Sequence, residues 1–212
     1  MNIGEMRTDY TRGELRREDL KANPFEQFAI WFDEACQTGM VDPNAMSLAT
    51  AAVNARPSLR TVLLKVCDER GFVFFTNLES RKAREIAENP QVALLFQWIA
   101  LERQVIINGR AEKTTTAEAL AYFVKRPIGS QLAAWASPQS SLIRDRSILE
   151  DRVKEIEKRY KGKDVLPKPH QWGGYGVEVF EIEFWQGRVN RLHDRIVYTR
   201  IDNQWKINRL AP

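Results

Sequence analysis

Arg191, His193 and Arg195 recur at every second position, with aromatic Trp185 upstream, in the run Ile182-Glu183-Phe184-Trp185-Gln186-Gly187-Arg188-Val189-Asn190-Arg191-Leu192-His193-Asp194-Arg195. Read as two strands around a turn, this spacing directs all three basic side chains to one face. Two guanidiniums and an imidazole on one face repel one another unless something anionic or electron-rich lies between them. A phosphorylated or π-stacked ligand would serve. A solvated basic edge strand is the plain alternative, and Trp185 beside a lone histidine weighs for a site.

Other stretches offer phosphate chemistry. Ser80-Arg81-Lys82 opens a predicted helix, where free backbone N–H groups and the positive end of the dipole already favour an anion. Arg60 and Lys65 fall on opposite parity of a predicted strand Ser58–Cys67, which suits two anions better than one unless a bulge reunites them. Tyr122 and Arg126 are four residues apart on a helix that Pro127 ends, and Ser130 lies just past the break. With Lys65 they would make a second phosphate clamp, each charge-assisted hydrogen bond contributing about 1.5–3 kcal/mol; core packing of Tyr122 with a solvated Arg126 is the competing reading. Gly173-Gly174-Tyr175-Gly176 precedes a strand instead of linking strand to helix, so it reads as a turn and not as a dinucleotide loop. No Gly-x-Ser-x-Gly elbow occurs, which weighs against nucleophilic hydrolysis.

The elements that must position these residues belong to an ordinary globular composition: 212 residues, 43% hydrophobic and 28% charged, enough for one domain with a real core. No run approaches the length of a membrane span, and the charged stretch Met1–Asp19 has no apolar segment of the secretory kind. Cys36 and Cys67 are isolated and the only histidines are His170 and His193, so a reducing, cytoplasmic setting is expected, without disulfide or metal. The net charge of +4 is spread along the chain, so small anionic ligands explain it as well as nucleic acid does, and neither nucleic acid nor a membrane is expected as partner.

Residues 1–22 read as an extended charged arm anchored by Tyr10 and Leu15, and residues 23–212 as a single domain. Asn23-Pro24-Phe25-Glu26 caps a helix with Phe25, Phe28, Phe32 and Ala35 on one stripe. Strands are predicted at Ala45–Val53, Ser58–Cys67, Phe72–Thr76, Val92–Trp98 and Arg103–Lys113, with a helix at Ser80–Glu88. A helix from Thr116 to about Arg126, a helical turn at Ser130–Ala136 and a long helix from Ser140 or Ser141 to Tyr160 follow. Strands Val177–Trp185, Arg191–Thr199 and Trp205–Leu210 close the chain. Short connections between strands imply antiparallel meanders, hence a β-rich α+β fold: an antiparallel sheet closed toward a barrel to hide its edges, with peripheral helices.

The pattern Ile-Glu-Phe-Trp-Gln, four variable residues, then Arg-Leu-His-Asp-Arg resembles the C-terminal motif of the FMN-dependent pyridoxine/pyridoxamine 5'-phosphate oxidases, and matches run from about residue 7 to Arg209-Leu210-Ala211-Pro212. The resemblance implies a Greek-key type, FMN-binding split β-barrel and a homodimer with FMN at its interface. It implies oxidation of pyridoxamine 5'-phosphate or pyridoxine 5'-phosphate to pyridoxal 5'-phosphate, with hydride passing from C4' to flavin N5 and O2 becoming hydrogen peroxide. Carried over residue by residue, the FMN set is Arg60-Thr61-Val62-Leu63-Leu64-Lys65, Phe75-Thr76, Ser80-Arg81-Lys82, Gln104, Gln139-Ser140, Trp185 and Arg195. The substrate set is Lys65, Tyr122, Arg126, Ser130, Arg191 and His193, with Arg7 and Tyr10 from the arm. Arg191 and His193 take the catalytic positions, Arg191 covering the pyridine ring and His193 orienting the substrate or assisting its deprotonation. The chain departs from the family pattern at Phe75, where many members carry Tyr, and at Ile128-Gly129 and Ala134. A non-catalytic flavin carrier would keep Arg60, Arg81 and Lys82 without needing the substrate clamp. A nucleic-acid-binding barrel would interleave aromatics with surface cations, whereas most aromatics here follow core periodicities.

Overall fold

The computed structural model describes residues 3–5 and 9–212. Along the chain, α1 (Pro24–Gln37) is followed by β1 (Ala45–Ala51), β2 (Pro57–Leu63), β3 (Val66–Asp68) and β4 (Gly71–Asn77). Next come α2 (Arg81–Glu88), β5 (Gln91–Trp98), β6 (Arg103–Lys113), α3 (Thr116–Phe123), α4 (Ile128–Ala136) and α5 (Ser147–Arg159). The chain ends with β7 (Trp172–Gln186), β8 (Asp194–Ile201) and β9 (Gln204–Leu210).

The strand β7 is the spine. It pairs antiparallel with β6 along one edge, while β4 takes the first half of its other edge and β8 the second. The full path runs β2-β1-β5-β6-β7-β4-β3, with β9 beyond β8. Its two ends are consecutive pieces of chain, because β3 follows β2 after only Leu64 and Lys65, and the Lys65 N–H donates to the Val73 carbonyl at 2.8 Å. The sheet therefore curls onto itself as an antiparallel split barrel with helices outside, the expected fold class, and a curled sheet leaves few free edges.

Inside lies an aromatic core. Asn23 caps α1 by accepting the Phe25 N–H at 2.9 Å, and Pro24 occupies the first turn, where a missing N–H costs nothing. The helix buries Phe28, Trp31 and Ala35 against the barrel. Phe28 meets Phe72 at 4.8 Å and Phe96 at 5.0 Å, and Trp31 meets Phe184 edge-on at 5.1 Å. Each such side chain contributes about 1.5–3 kcal/mol by leaving water. Leu15 is buried in the same core, which fixes the end of the arm nearest the domain.

Four sequence expectations need correction. The predicted strand Ser58–Cys67 is two strands broken at Leu64-Lys65, because Asn44 takes both the N–H and the carbonyl of Leu64. The long helix begins at Ser147 and not at Ser140 or Ser141. Ser140 has φ +70°, outside helical geometry, the side chain of Leu142 is fully exposed, and Asp145 accepts the Ser147 N–H at 2.9 Å to start the helix late. Gly173–Gly176 is not a turn but the start of β7, where Gly174 is required because a Cβ would lie 2.6 Å from Phe75 Cδ1 and 2.9 Å from the Phe74 carbonyl. The strand predicted at Arg191–Thr199 begins only at Asp194.

Candidate functional site

A cavity of about 680 Å³ opens between the β2–β3 break, β4, and the tail of α3. Among the described residues five basic side chains line it, Arg60, Lys65, Lys82, Lys125 and Arg126, and no acidic one does. The break at Leu64-Lys65 overrides strand parity, so Arg60 and Lys65 reach one cavity and not opposite faces of a sheet. Contacts divide the polar lining into two groups.

The first group surrounds Lys82. Its ammonium donates to Gln139 Oε1 at 2.9 Å, Thr76 Oγ1 at 3.1 Å and Ser80 Oγ at 3.3 Å. Burial, and secondly the neighbouring Arg60, pull its pKa down to about 8. Behind it, Glu85 receives hydrogen bonds from Thr50 and Ser58, from Arg81 Nε at 2.8 Å and from Arg60 Nη2 at 3.2 Å. Burial opposes its charge, but these donors outweigh burial and hold the carboxyl at about 2. Arg60 also donates to the Leu48 carbonyl at 3.1 Å and to Thr50. Ser80 is fully buried and caps α2 without a side-chain bond to its free N–H groups. The cradle is thus three cations against one carboxylate, held before any ligand arrives.

The second group lies on α3, α4 and the start of β7. A capping box, Thr115 with Glu118, starts α3, which runs to Phe123 and not to Arg126; the Lys125 and Arg126 N–H groups then make tighter turns to Tyr122 and Phe123 before Pro127. Tyr122 stacks on Phe75 with ring centroids 4.2 Å apart and 9° between planes, and Lys65 Nζ stands 5.9 Å from the Tyr122 ring. Arg126 lies beyond the last turn of α3, its guanidinium 4.0 Å over the Trp172 ring. Arg126 Nη1 and Trp172 Nε1 are both buried donors without a partner among the described residues. Two orphaned donors on one wall need an acceptor. Burial lowers the Arg126 pKa while Tyr122 opposes the shift, and Ser130 completes the wall from α4.

A separate cluster stands at the far end of β7. Gln104, Trp185 and Arg195 lie in register across β6, β7 and β8. Trp185 and His193 have centroids 4.6 Å apart, and Tyr10 packs edge-on to both, at 5.8 and 5.7 Å. Gly187 leaves room for that arm residue, since a Cβ would meet Tyr10 Cγ at 2.7 Å. His193 Nδ1 accepts the Arg188 N–H at 3.1 Å, which puts the proton of the neutral ring on Nε2. Burial, then Arg191, lower its pKa. Arg195 is held by Glu183 through Nε at 2.7 Å and Nη2 at 2.9 Å.

The shared parity expected for Arg191, His193 and Arg195 fails. Arg191 sits in a 3-10 turn with φ +60° and is exposed, and His193 precedes β8. A different arrangement, Tyr10 and Trp185 around His193, replaces the one-face picture. From Gly173, which pairs with Thr76, to Trp185, β7 runs about 40 Å at ~3.3 Å per residue. The cavity and the far cluster therefore stand toward opposite ends of β7.

Of the expected residues, Arg60, Thr61, Val62, Leu63, Lys65, Phe75, Thr76, Lys82, Tyr122, Arg126, Ser130 and Gln139 line the cavity. Arg81 adjoins it through Glu85, and Ser80 through Lys82. Leu64 does not line it, its side chain being buried in the core. Ser140 lies in the turn after Gln139. Arg7 lies outside the described residues. Sequence reasoning passed over Trp172, Lys125 and Glu85. Of these Glu85 carried a readable signal, four residues beyond Arg81 on one helix, whereas the meeting of Trp172 with Arg126 is tertiary. Among the described residues no cluster of His, Cys, Asp or Glu could hold a metal ion, and no helix is long and apolar enough to cross a membrane.

Comparison with known proteins gives concordant matches. Residues 32–160 match the family described as pyridoxamine 5'-phosphate oxidase, and residues 172–212 match the pyridoxine 5'-phosphate oxidase C-terminal dimerisation region. The pyridoxine/pyridoxamine 5'-phosphate oxidase of Rippkaea orientalis is 55% identical over 213 residues, covering 100% of both chains. That of Burkholderia mallei is 54% identical over 213 residues, covering 99% of both. Among solved structures, PhzG from Burkholderia lata 383, in complex with tetrahydrophenazine-1-carboxylic acid, has a TM-score of 0.87 at 32% identity, covering 92% of this chain and 95% of that one. A pyridoxamine 5'-phosphate oxidase-related, FMN binding protein from Nostoc punctiforme shares the fold, with a TM-score of 0.72 at 18% identity over 91% of this chain and 100% of that one.

Proposed function

The chain belongs to the pyridoxine/pyridoxamine 5'-phosphate oxidase family, and on that premise we propose that it oxidises pyridoxamine 5'-phosphate and pyridoxine 5'-phosphate to pyridoxal 5'-phosphate, with FMN as cofactor and O2 as acceptor. The observation that carries this reading is the pair of orphaned donors, Arg126 Nη1 and Trp172 Nε1, on the wall of a cavity that also holds the Lys82 cradle. One cavity with two cationic ends fits a cofactor phosphate and a substrate phosphate. Bound FMN would supply the two-electron chemistry, taking hydride from the substrate and passing electrons to O2 to give hydrogen peroxide.

The residues of the chain bind and orient. Arg60, Arg81 and Lys82, with Ser80, Thr76 and Gln139, would hold the cofactor phosphate, and Glu85 keeps the two guanidiniums in place. Lys65, Tyr122, Arg126 and Ser130 would hold the substrate phosphate and so fix the distance of the reacting carbon. With Nδ1 occupied by the Arg188 N–H, His193 has an Nε2 proton to offer, which supports orienting the substrate over deprotonating it. Arg191, exposed on its left-handed turn, is free to cover a ligand ring. Because the far cluster is remote from the cavity in one protomer, we read each complete site as shared by two copies. Gln104, Trp185, Arg191, His193 and Arg195 of one protomer would then close the cavity of its partner, with Tyr10 of the arm beside them. The similarity to a C-terminal dimerisation region supports this homodimer.

A second reading follows from PhzG, whose bound ligand is a carboxylic acid without a phosphate. The clamp around Arg126 separates the two. Purified protein should carry a flavin spectrum that bleaches anaerobically on adding pyridoxamine 5'-phosphate and returns, with peroxide, on adding air. Bleaching by unphosphorylated pyridoxamine at the same concentration would favour the second reading. Flavin without bleaching would mean a carrier, and colourless protein that shifts single-stranded DNA would overturn both oxidase readings.

A further inference from the structure

Gln131, one residue beyond Ser130, is 1% exposed and its side chain bonds to three residues on two pieces of chain. Its Nε2 donates to the Arg126 carbonyl at 2.8 Å and to the Val124 carbonyl at 3.5 Å. Its Oε1 accepts the Leu166 N–H at 2.8 Å, from the segment between α5 and β7. The need is local. A helix ends with orphaned carbonyls, and Pro127 has no N–H to continue the ladder. The Gln131 amide supplies a donor to the Arg126 and Val124 carbonyls at that end.

The tie also spans the residues that matter. Tyr122 and Arg126 hang on the tail of α3, Ser130 on the first turn of α4, and the bend at Pro127 sets the spacing between them. The bend itself is closed only locally, the Pro127 carbonyl accepting the Ser130 N–H at 2.9 Å and the Gln131 N–H at 3.1 Å. Gly129 has φ below zero and nothing within 4 Å of where a Cβ would lie, so no contact demands a glycine there, and glycine in a first turn costs order. Leu166, the anchor on the far side, is itself 2% exposed.

We propose that Gln131 is a positioning residue for substrate phosphate: without touching the ligand, it fixes the separation of the Arg126 guanidinium and the Ser130 hydroxyl. This rests on the reading of Tyr122, Arg126 and Ser130 as the substrate clamp, and it extends that clamp to a buried residue that the cavity wall does not include. A displacement of the bend by a fraction of an ångström would leave the cofactor cradle intact, because Lys82 and its partners Thr76, Ser80 and Gln139 stand outside the tie.

The test compares Gln131→Met, Gln131→Glu and Arg126→Met in the holoenzyme, reading KM and kcat for pyridoxamine 5'-phosphate, FMN affinity, and inhibition by inorganic phosphate. Gln131→Met removes both halves of the tie at similar volume, and KM should rise about tenfold with kcat within about twofold and FMN affinity unchanged. Gln131→Glu keeps an acceptor for Leu166 but turns an anion on two carbonyls, so KM should rise at least as far and inorganic phosphate should inhibit more weakly. If Gln131→Met does not fold, Gln131→Asn keeps the amide one methylene short and should raise KM with a near-normal melting temperature. Wild-type KM in the Gln131 variants beside a raised KM in Arg126→Met would overturn the tie and leave the clamp standing. An equal loss of FMN affinity would reduce Gln131 to a structural residue and overturn it too. An Arg126→Met enzyme with unaltered KM would sink the clamp itself.

Discussion

The guanidinium carbon of Arg126 lies 4.0 Å from the centroid of the Trp172 ring, and each of these two side chains keeps one buried N–H donor without a partner among the described residues. A lysine keeps the charge but loses both the flat stack and the fork of donors. Arg126→Met should raise KM for pyridoxamine 5'-phosphate between about ten- and a hundredfold, the worth of about one charge-assisted hydrogen bond. Arg126→Lys should recover less than half of that loss on a logarithmic scale. FMN content should stay at the wild-type level in both, measured by absorbance after gel filtration. Equal loss of FMN would place Arg126 in the cofactor cradle instead.

If the Lys82 cradle holds the cofactor phosphate as proposed, Lys82 gives FMN binding a pH dependence. Burial first, and Arg60 second, bring its pKa to about 8 in the free protein. An anion bound beside it raises that pKa, so binding is linked to proton uptake once the free lysine is neutral. FMN affinity should be flat below pH 8 and fall by up to about tenfold per pH unit above it. Calorimetry at pH 9 in buffers of different ionisation enthalpy should register close to one proton taken up per FMN. Lys82→Met should bind FMN more weakly at pH 7 and lose the slope.

Glu85 contributes a pH-dependent part of the stability in acid. Its folded pKa of about 2 lies below its ordinary value of 4.5. The sign follows: the stabilisation is fully present above pH 4.5 and is lost as the pH falls through 2. Glu85→Gln should therefore flatten the loss of stability between those limits in urea unfolding. Glu85→Ala leaves the partly buried Arg60 without its counter-charge and should cost about 3 kcal/mol at pH 7. An unaltered acid limb in Glu85→Gln would show that other carboxylates carry it.

The architecture was legible because period-2 alternation and short turns survive in β1, β5 and β6, whose bounds were anticipated within two residues. The cap of α1 and the capping box of α3 were equally plain, since both are local chemistry. Failures came where tertiary bonds overrode local pattern. Asn44 breaks the strand at Leu64 from twenty residues away, and this break, not parity, decides that Arg60 and Lys65 share a cavity. Asn190 and Arg191 adopt left-handed φ, so the alternation Arg191, His193, Arg195 is arithmetic without a strand beneath it. Spacing and helix position already marked Arg60, Lys65, Arg81, Lys82 and Arg126 as phosphate candidates, and the resemblance divided them between cofactor and substrate. Their supports, Trp172, Glu85 and Gln131, belong to contacts that span 46, 25 and 35 residues, as in Arg126 with Trp172, Arg60 with Glu85 and Leu166 with Gln131.

The separation of the cavity and the far cluster along β7 sets the last expectation. If each complete site pairs the cavity of one protomer with the far cluster of its partner, two differently damaged chains can rescue one another. Arg126→Met spoils the cavity, and Arg191→Met spoils the far cluster while leaving FMN content largely intact. In a mixed dimer one site then carries both lesions and the other carries none. Random pairing of equal amounts, by coexpression or by denaturing and refolding together, should restore about a quarter of wild-type turnover, since half of the dimers are mixed and half of their sites are whole. Each variant alone should stay near its own low value. A mixture that remains at the mean of its two parents would mean that each site is built within a single chain, and that the arm and the loop carrying Arg191 must travel to the cavity of their own protomer.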